Sequence, residues 1–352
     1  MRAVVVEQPG GTEVLRMQTL PDPTPKPRDV VIQVDSCGVC FHDIVTRNGT
    51  LKAGVEMPVI LGHEISGIVV AVGADVPGFR PGDRVATVQR YHICGHCAHC
   101  RTGFEPLCED KLFLGDAGLV GGYAEYVAVE HDNVARLPEG AALDGAAITA
   151  CTLGTIYNAA LNVGRIRAGE TVLVTGASGG LGLMAVQMAR LCGARVIAQT
   201  GSPDSATLLR ELGADEVVAL PRGEDFSQAV RELTAGHGAD VALDNVGTPL
   251  FQPLRRSLAQ RARWVLIGQL TGEFVSFNPA QLFLRNISML SATSTTRQQL
   301  VECLELVARG RIRPVIDAAL PLAQAAEAHR RMEAGSVTGR IILKPAAEEA
   351  LQ

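Results

Sequence analysis

The chain has 352 residues and a formal net charge of −5, a length that suggests about two domains. With 47% hydrophobic and 20% charged residues, whole-chain disorder is excluded, and the mild acidity gives no electrostatic reason to expect nucleic acid or an anionic membrane as a partner. No uncharged apolar run of about 18 residues is present, so no membrane-spanning helix is expected. The start, MRAVVVEQPG, lacks the long apolar stretch of a secretory signal, which leads to the expectation of a cytoplasmic protein.

Up to about residue 150 the chain carries short β-like runs at Arg2–Val6, Val30–Asp35, Glu64–Val72, Arg84–Val88 and Tyr123–Val129. Turn signals such as Pro77-Gly78 and Pro81-Gly82-Asp83 separate them, which predicts a barrel-like β unit. From about residue 170 apolar strand candidates alternate with helical patterns, at Thr171–Thr175, Arg195–Thr200, Glu216–Leu220, Val241–Asp244 and Trp264–Ile267. Leu181, Met184, Met188 and Leu191 step by three and four, one apolar stripe on a helix. Alternating β and α units imply a parallel sheet covered on both faces. The segment from Ile287 opens like a strand and continues as helices, and could join either unit. The acidic tail Ala346–Gln352 reads as a frayed end.

Nine cysteines are present, an odd count that, without a secretory signal, argues against a disulfide framework. Cys94, Cys97, Cys100 and Cys108 supply four thiolates on one short loop, a spacing suited to a structural zinc site. An iron–sulfur cluster also takes four thiolates, and that alternative stays open on spacing alone. His92, His96 and His99 in the same stretch are expected on the solvated outside of the loop.

Thr171-Val-Leu-Val-Thr-Gly176-Ala-Ser178-Gly179-Gly180-Leu181-Gly182 is an apolar strand running into a glycine-rich turn and a helix. Glycines there permit a tight turn and close approach of backbone to a pyrophosphate at the helix N-terminus. The next strand ends at Gln199-Thr200-Gly201-Ser202, without the acid that usually binds the ribose 2′-hydroxyl of NAD. Small hydroxyl residues and a glycine leave room for a 2′-phosphate, so the expected cofactor is NAD(P), leaning to NADP(H), with Arg222 able to approach from the next strand end.

Cys40, His63 with Glu64, and Cys151 are far apart, and spacing alone does not join them. Together with Gly62-His63-Glu64-x-x-Gly67-x-Val69, Pro81-Gly82-Asp83-Arg84-Val85, the four-cysteine loop, Gly121-Gly122-Tyr123-Ala124-Glu125-Tyr126 and the glycine-rich turn, in that order, they resemble the zinc-containing alcohol dehydrogenases of the medium-chain dehydrogenase/reductase superfamily. The resemblance runs over essentially the whole chain. It implies an α/β protein with a GroES-like β-barrel catalytic domain (1–151 and 293–352) and a Rossmann doubly wound parallel-sheet domain (152–292). It implies a catalytic zinc on Cys40, His63 and Cys151, with Glu64 able to approach the metal and Asp43 behind His63. Two Zn2+ per chain are then expected, and Cys37, Cys192 and Cys303 remain as free thiols, Cys37 in a packing role.

The same resemblance places Thr155 beside the nicotinamide and Arg340 at a cofactor phosphate. Asn245, Val246, Gly268 and Gln269 end later strands at the cofactor edge. His42 and Val45 depart from the family pattern, which has Ser or Thr two residues after the first cysteine and often a further histidine in the relay. His42 therefore becomes the candidate proton acceptor. Phe41, Thr50, Leu114 and Thr293 are guesses for the pocket wall. The implied activity is interconversion of alcohols with aldehydes or ketones, the substrate being a small molecule. The alternative is NADPH-dependent reduction of activated carbon–carbon double bonds, of enoyl or acrylate type, kept open by the substituted relay position. A cofactor-binding member without turnover would be expected to have lost its zinc ligands, and none is lost here. A homodimer or homotetramer is expected, with Phe274–Phe277 and Asn286–Thr293 as candidates for the shared edge.

Overall fold

The computed structural model describes residues 1–269 and 271–346. Two compact units are present, one of Met1–Gly154 with the chain from Ser294 onward, the other of Thr155–Thr293. The strand Ser288–Ser291 joins the second unit, and the helix Arg297–Ala308 belongs to the first. Past Ala346 the acidic tail lies outside the described residues.

In the first unit Asp29–Gly38 is the hub. It pairs antiparallel with Glu64–Val72, with Tyr126–Glu130 and with Arg340–Lys344. The sheet continues through Arg84–Thr87 to Val134–Arg136 on one side and through Ile316–Pro321 on the other. A smaller sheet of Arg16–Thr19, Arg2–Val6 and Val59–Ile60 shares its apolar core, which includes Val4, Val6, Ile32, Ile60, Ile65 and Ile341. Asp29–Gly38 is buried on both faces over most of its length, so its buried run is nearly continuous and hides the two-residue alternation.

Two sequence expectations shift here. The run predicted from Tyr123 begins its strand only at Tyr126, because the amides of Gly122 and Tyr123 bond instead to the carbonyls of Gly62 and Leu61. Leu114, a guess for the pocket wall, is fully buried in the apolar core of this unit and cannot line a pocket.

The second unit is a six-stranded, all-parallel sheet in the order Glu216–Ala219, Arg195–Thr200, Thr171–Val174, Ala239–Asp244, Leu258–Leu266, Ser288–Ser291. By chain order within the unit that is 3-2-1-4-5-6, the arrangement of a doubly wound dinucleotide-binding sheet. The order reverses between Thr171–Val174 and Ala239–Asp244, and ligands of such sheets bind at the carboxyl ends there. The strand predicted as Trp264–Ile267 starts earlier, at Leu258, since Gln260, Arg261 and Arg263 break the apolar pattern that would have announced it.

Asp244 ties this unit together at the strand's carboxyl end. One oxygen accepts from the Thr175 hydroxyl and the amides of Val246 and Gly247, and the other from the indole of Trp264 at 3.0 Å. Trp264 is fully buried and its ring lies 4.7 Å from that of Phe251. Trp264→Ala removes the ring and strips Asp244 of a donor, so a loss of about 3–5 kcal/mol is expected. Urea unfolding followed by circular dichroism checks this; a midpoint within error of wild type would contradict it.

Candidate functional site

The four-cysteine loop runs from Cys94 to Cys108 in the first unit. All four sulfurs lie within 4.8 Å of one another. Cys94 Sγ is 4.0 Å from Cys100 Sγ and 3.6 Å from Cys108 Sγ. A tetrahedron with Zn–S bonds of about 2.3 Å has S···S edges of about 3.8 Å. Amides donate to the sulfurs as well, Cys94 N to Cys108 Sγ and Cys97 N to Cys94 Sγ, each at 3.3 Å. The amide of Cys100 is the main cause that lowers Cys97 to about 6, while burial raises Cys100 to about 12. Four thiols at this spacing cannot all ionise without a cation among them. His96 faces solvent and bonds the Cys94 carbonyl through Nδ1, and His92 pairs with Glu130.

A second cluster gathers Cys40, His63, Glu64 and Cys151, again within 4.8 Å. Strand register explains the convergence. Gly38 lies opposite both Glu64 and Ile342, so Cys40 and His63, just beyond the ends of their strands, meet Arg340 at the start of its own. Cys151 arrives on a stretch wound as π-helix, Thr149–Gly154, a local widening that recurs at functional sites. Cys40 and Cys151 are 4.0 Å apart, again near a tetrahedral edge. The hydrogen bond from Cys151 and the Arg340 guanidinium hold Cys40 well below the usual thiol range against the effect of burial. Cys151, which shares that bond and is partly withdrawn from water, is pushed up. Burial disfavours a charged His63, but Asp43 and Cys40 together outweigh it and raise the imidazole well above its ordinary value. His63 Nδ1 stands 3.4 Å from Asp43 Oδ1 and has no formed hydrogen bond. Two cysteine sulfurs and an imidazole converging within 4.8 Å are a donor set that fits a divalent cation at the centre.

Arg340, for which a cofactor phosphate was the expected partner, has its guanidinium on Glu64 at 3.0 Å and on Cys40 Sγ at 3.6 Å. Both side chains are buried, and this pairing has no local signature in the sequence. His42 is partly exposed. Its Nε2 lies 2.9 Å from Asp116 Oδ2, and Asp116 also accepts from the Thr46 hydroxyl. The His42 ring sits 5.2 Å from that of His63 and 4.9 Å from that of Phe113. Asp116 and Phe113 were missed by sequence reasoning, since no motif encloses them. Cys37 is buried beside Gly62 and Gly122 and is not among the converging donors.

In the second unit the glycine-rich turn follows Thr171–Val174 and opens the helix Gly180–Leu191. A Cβ at Gly182 would lie 2.2 Å from the Gly176 carbonyl oxygen, so only glycine permits this turn to close on the helix. Gly176, at φ +58, and Gly179 lie along the turn, Leu181 is in the first turn of the helix, and the short helix Thr155–Tyr157 packs on that helix. Thr200 Oγ1 donates to Ser178 Oγ and accepts from the Ser202 amide, both at 3.0 Å, which locks the second strand end to the turn. A Cβ at Gly201 would lie 3.0 Å from Arg222 Cγ, so the Arg222 side chain covers that strand end. Asn245 Nδ2 donates to the Thr175 carbonyl, and Asn245 Oδ1 is buried with no partner. Val246 flanks Gly176, and Gly268 approaches the Asn245 carbonyl. Gln269 is held by Thr248, whose amide donates to its Oε1 at 2.9 Å.

Residues 26–139 match the alcohol dehydrogenase GroES-like domain family, and residues 180–309 match the zinc-binding dehydrogenase family. An acryloyl-coenzyme A reductase of Sulfurisphaera tokodaii is 32% identical over 98% of this chain and 100% of its own. Among solved structures, that of AibC is 44% identical with a TM-score of 0.91, covering 98% of this chain and 95% of that one. An NAD-dependent alcohol dehydrogenase is 36% identical with a TM-score of 0.92, covering 98% and 99%. The chain belongs to the zinc-containing alcohol dehydrogenase family of the medium-chain dehydrogenase/reductase superfamily, and it is an oxidoreductase.

Arg340→Met leaves Glu64 as an uncompensated buried carboxylate. The carboxyl is already raised from its ordinary 4.5, by burial against the opposing pull of Arg340, and the substitution raises it further. A folded-state value above the unfolded one means stability is lost as pH rises from about 4.5 upward. The metal-free variant is therefore expected to be about 3–5 kcal/mol less stable than wild type at neutral pH, with the deficit shrinking toward acid pH. Urea titrations at both pH values check it, and a deficit that does not vary with pH would contradict it.

Proposed function

We propose that this chain is a zinc-dependent, NAD(P)-linked alcohol dehydrogenase or carbonyl reductase acting on small alcohols, aldehydes or ketones. The observation that carries the reading is the convergence of Cys40, His63 and Cys151, three ligands within 4.8 Å of one another that leave one position open. A second zinc on Cys94, Cys97, Cys100 and Cys108 is closed by four thiolates and structural. When bound, the catalytic zinc polarises the substrate oxygen, and the nicotinamide carries the hydride.

The chain's own residues do the rest. Glu64, balanced by Arg340, stands beside the ligands, where it can approach the cation during ligand exchange. Asp43 backs His63. With Asp116 accepting from His42 Nε2–H, Nδ1 of His42 is left as the proton acceptor, so Asp116 fixes the ring's tautomer as well as its position. Thr155, Gly176, Ser178, Gly179, Gly180, Leu181, Asn245, Val246, Gly268 and Gln269 form the cofactor edge. Thr200, Gly201 and Ser202, covered by Arg222, favour the 2′-phosphate of NADP(H). The protein is read as a cytoplasmic homodimer or homotetramer. The outer strand Ser288–Ser291 and the fully exposed Phe274 are its candidate contacts, whereas Phe277 packs inward, 5.3 Å from Phe251.

The name of the Sulfurisphaera relative favours a second reading, reduction of α,β-unsaturated thioesters. A panel of alcohols, aldehydes, ketones and unsaturated thioesters, with metal content measured on the same sample, separates the two. Two zinc ions per chain and turnover of alcohols or carbonyls that is lost on removing the catalytic zinc are expected. Turnover of thioesters alone would replace the first reading with the second. His42→Ala is expected to lower kcat by about 100-fold and to change its pH profile; normal kcat with the wild-type profile would remove the proton role. Wild type is expected to show the higher kcat/KM with NADPH, and Arg222→Ala to narrow the gap. A clear preference for NADH would overturn the cofactor assignment.

A further inference from the structure

Behind the metal cluster runs a buried line of polar groups that the proposed reaction leaves unexplained. Asp43 Oδ2 accepts from the Cys40 amide at 2.8 Å and from the Tyr123 hydroxyl at 3.3 Å. Tyr123 Oη lies 3.0 Å from His329 Nε2, and His329 Nδ1 lies 3.3 Å from Arg47 Nη1. Arg47 in turn pairs with Glu333 at the surface. Asp43, Tyr123, His329 and Arg47 are each at most 2% exposed. Four buried polar side chains in sequence, drawn from both ends of this unit's chain, are costly unless every group is matched.

Donor and acceptor chemistry sets the direction of the line. A guanidinium only donates, so His329 Nδ1 accepts and carries no proton. The ring is then neutral, with its proton on Nε2, which donates to the Tyr123 oxygen. That leaves the Tyr123 hydroxyl hydrogen for Asp43, a carboxylate that only accepts. Burial lowers His329 to about 4 and raises Tyr123 well above its ordinary 10, which keeps the ring neutral and the phenol protonated. Asp43 Oδ1 also accepts from the Gly62 amide at 3.2 Å, so its two oxygens are held on opposite sides, one toward Tyr123 and the other toward His63.

We propose that His329 and Tyr123 are positioning residues for the metal centre: they orient Asp43 so that His63 keeps its proton on Nδ1 and presents Nε2 to the cation. The proposal rests on the reading of Cys40, His63 and Cys151 as zinc ligands. Tyr123→Phe would retain the ring and remove the hydroxyl, which is both the donor to Asp43 and the acceptor for His329 Nε2–H; His329→Leu would break the line one step further out.

The test combines two measurements on the full, metal-loaded chain. Long-range proton–nitrogen NMR of histidine-labelled protein reads the His329 tautomer, expected as Nε2–H at neutral pH. Chelator-driven zinc release is expected to be about 10–100-fold faster from the Cys40–His63–Cys151 centre in Tyr123→Phe and His329→Leu. The release phase of the four-cysteine centre should not move. His329→Gln, whose amide N–H can replace Nε2–H, should restore most of the wild-type rate. A His329 proton on Nδ1, a doubly protonated ring, or unchanged release in both variants would overturn the proposal. Cys40→Ser holding as much zinc as wild type would instead overturn the zinc reading, and this proposal with it.

Discussion

Everything at the metal centre depends on one strand register. Gly38 stands between Glu64 on one side and Ile342 on the other. That pairing delivers a thiolate, an imidazole, a carboxylate and a guanidinium to one buried volume from three distant parts of the chain. A slip of one residue would turn Glu64 to the opposite face of the sheet and leave Arg340 buried without its partner. The register is anchored by Ile32, Val34, Ile65 and Ile341, which pack in the apolar core of this unit.

Charge balance then decides what the centre can hold. Thiolate at Cys40, carboxylate at Glu64 and Asp43 close by would be costly in a dry interior. Arg340 offsets part of that charge, and a divalent ion offsets more. The arginine thus keeps the donor set compatible with folding before any metal arrives. The second unit solves a different problem with neutral groups. Glycines, the Asp244 cluster and the Thr200–Ser178 bond shape a strand-end edge whose donors are mostly amides and hydroxyls, as suits an anionic ligand.

Much of this was legible in the sequence because it is local. The cysteine spacing from Cys94 to Cys108 is a loop property, and the apolar strand, glycines and helix around Gly176 lie within a dozen positions. The all-parallel sheet followed from alternation alone. What the residues alone left hidden is whatever is made by pairing distant segments; Cys40, His63 and Cys151 were joined only by the family resemblance. Asp116 meets His42 from a loop with no motif, and Tyr123 meets His329 across most of the chain. Arg340 sat in an apolar run that reads as a plain strand, and its charge could be matched to Glu64 only once Ile342 was known to lie opposite Gly38. The early start of Leu258–Leu266 was masked by Gln260, Arg261 and Arg263, polar residues that break the apolar pattern; Arg263 bonds the Arg165 carbonyl and the Glu170 carboxylate.

The late position of Arg340 has a consequence for biosynthesis. On the ribosome, Cys40, His63, Glu64 and Cys151 all emerge long before their counter-charge, and the parallel-sheet unit is complete earlier still than Arg340–Lys344. The first unit has to wait with the Cys37–Gly38 end of its central strand unpaired on one side and its thiols reduced and unshielded. Nascent chains of this protein are therefore most vulnerable to oxidation until Arg340–Lys344 pairs with Asp29–Gly38, and closure of that strand ends the hazard.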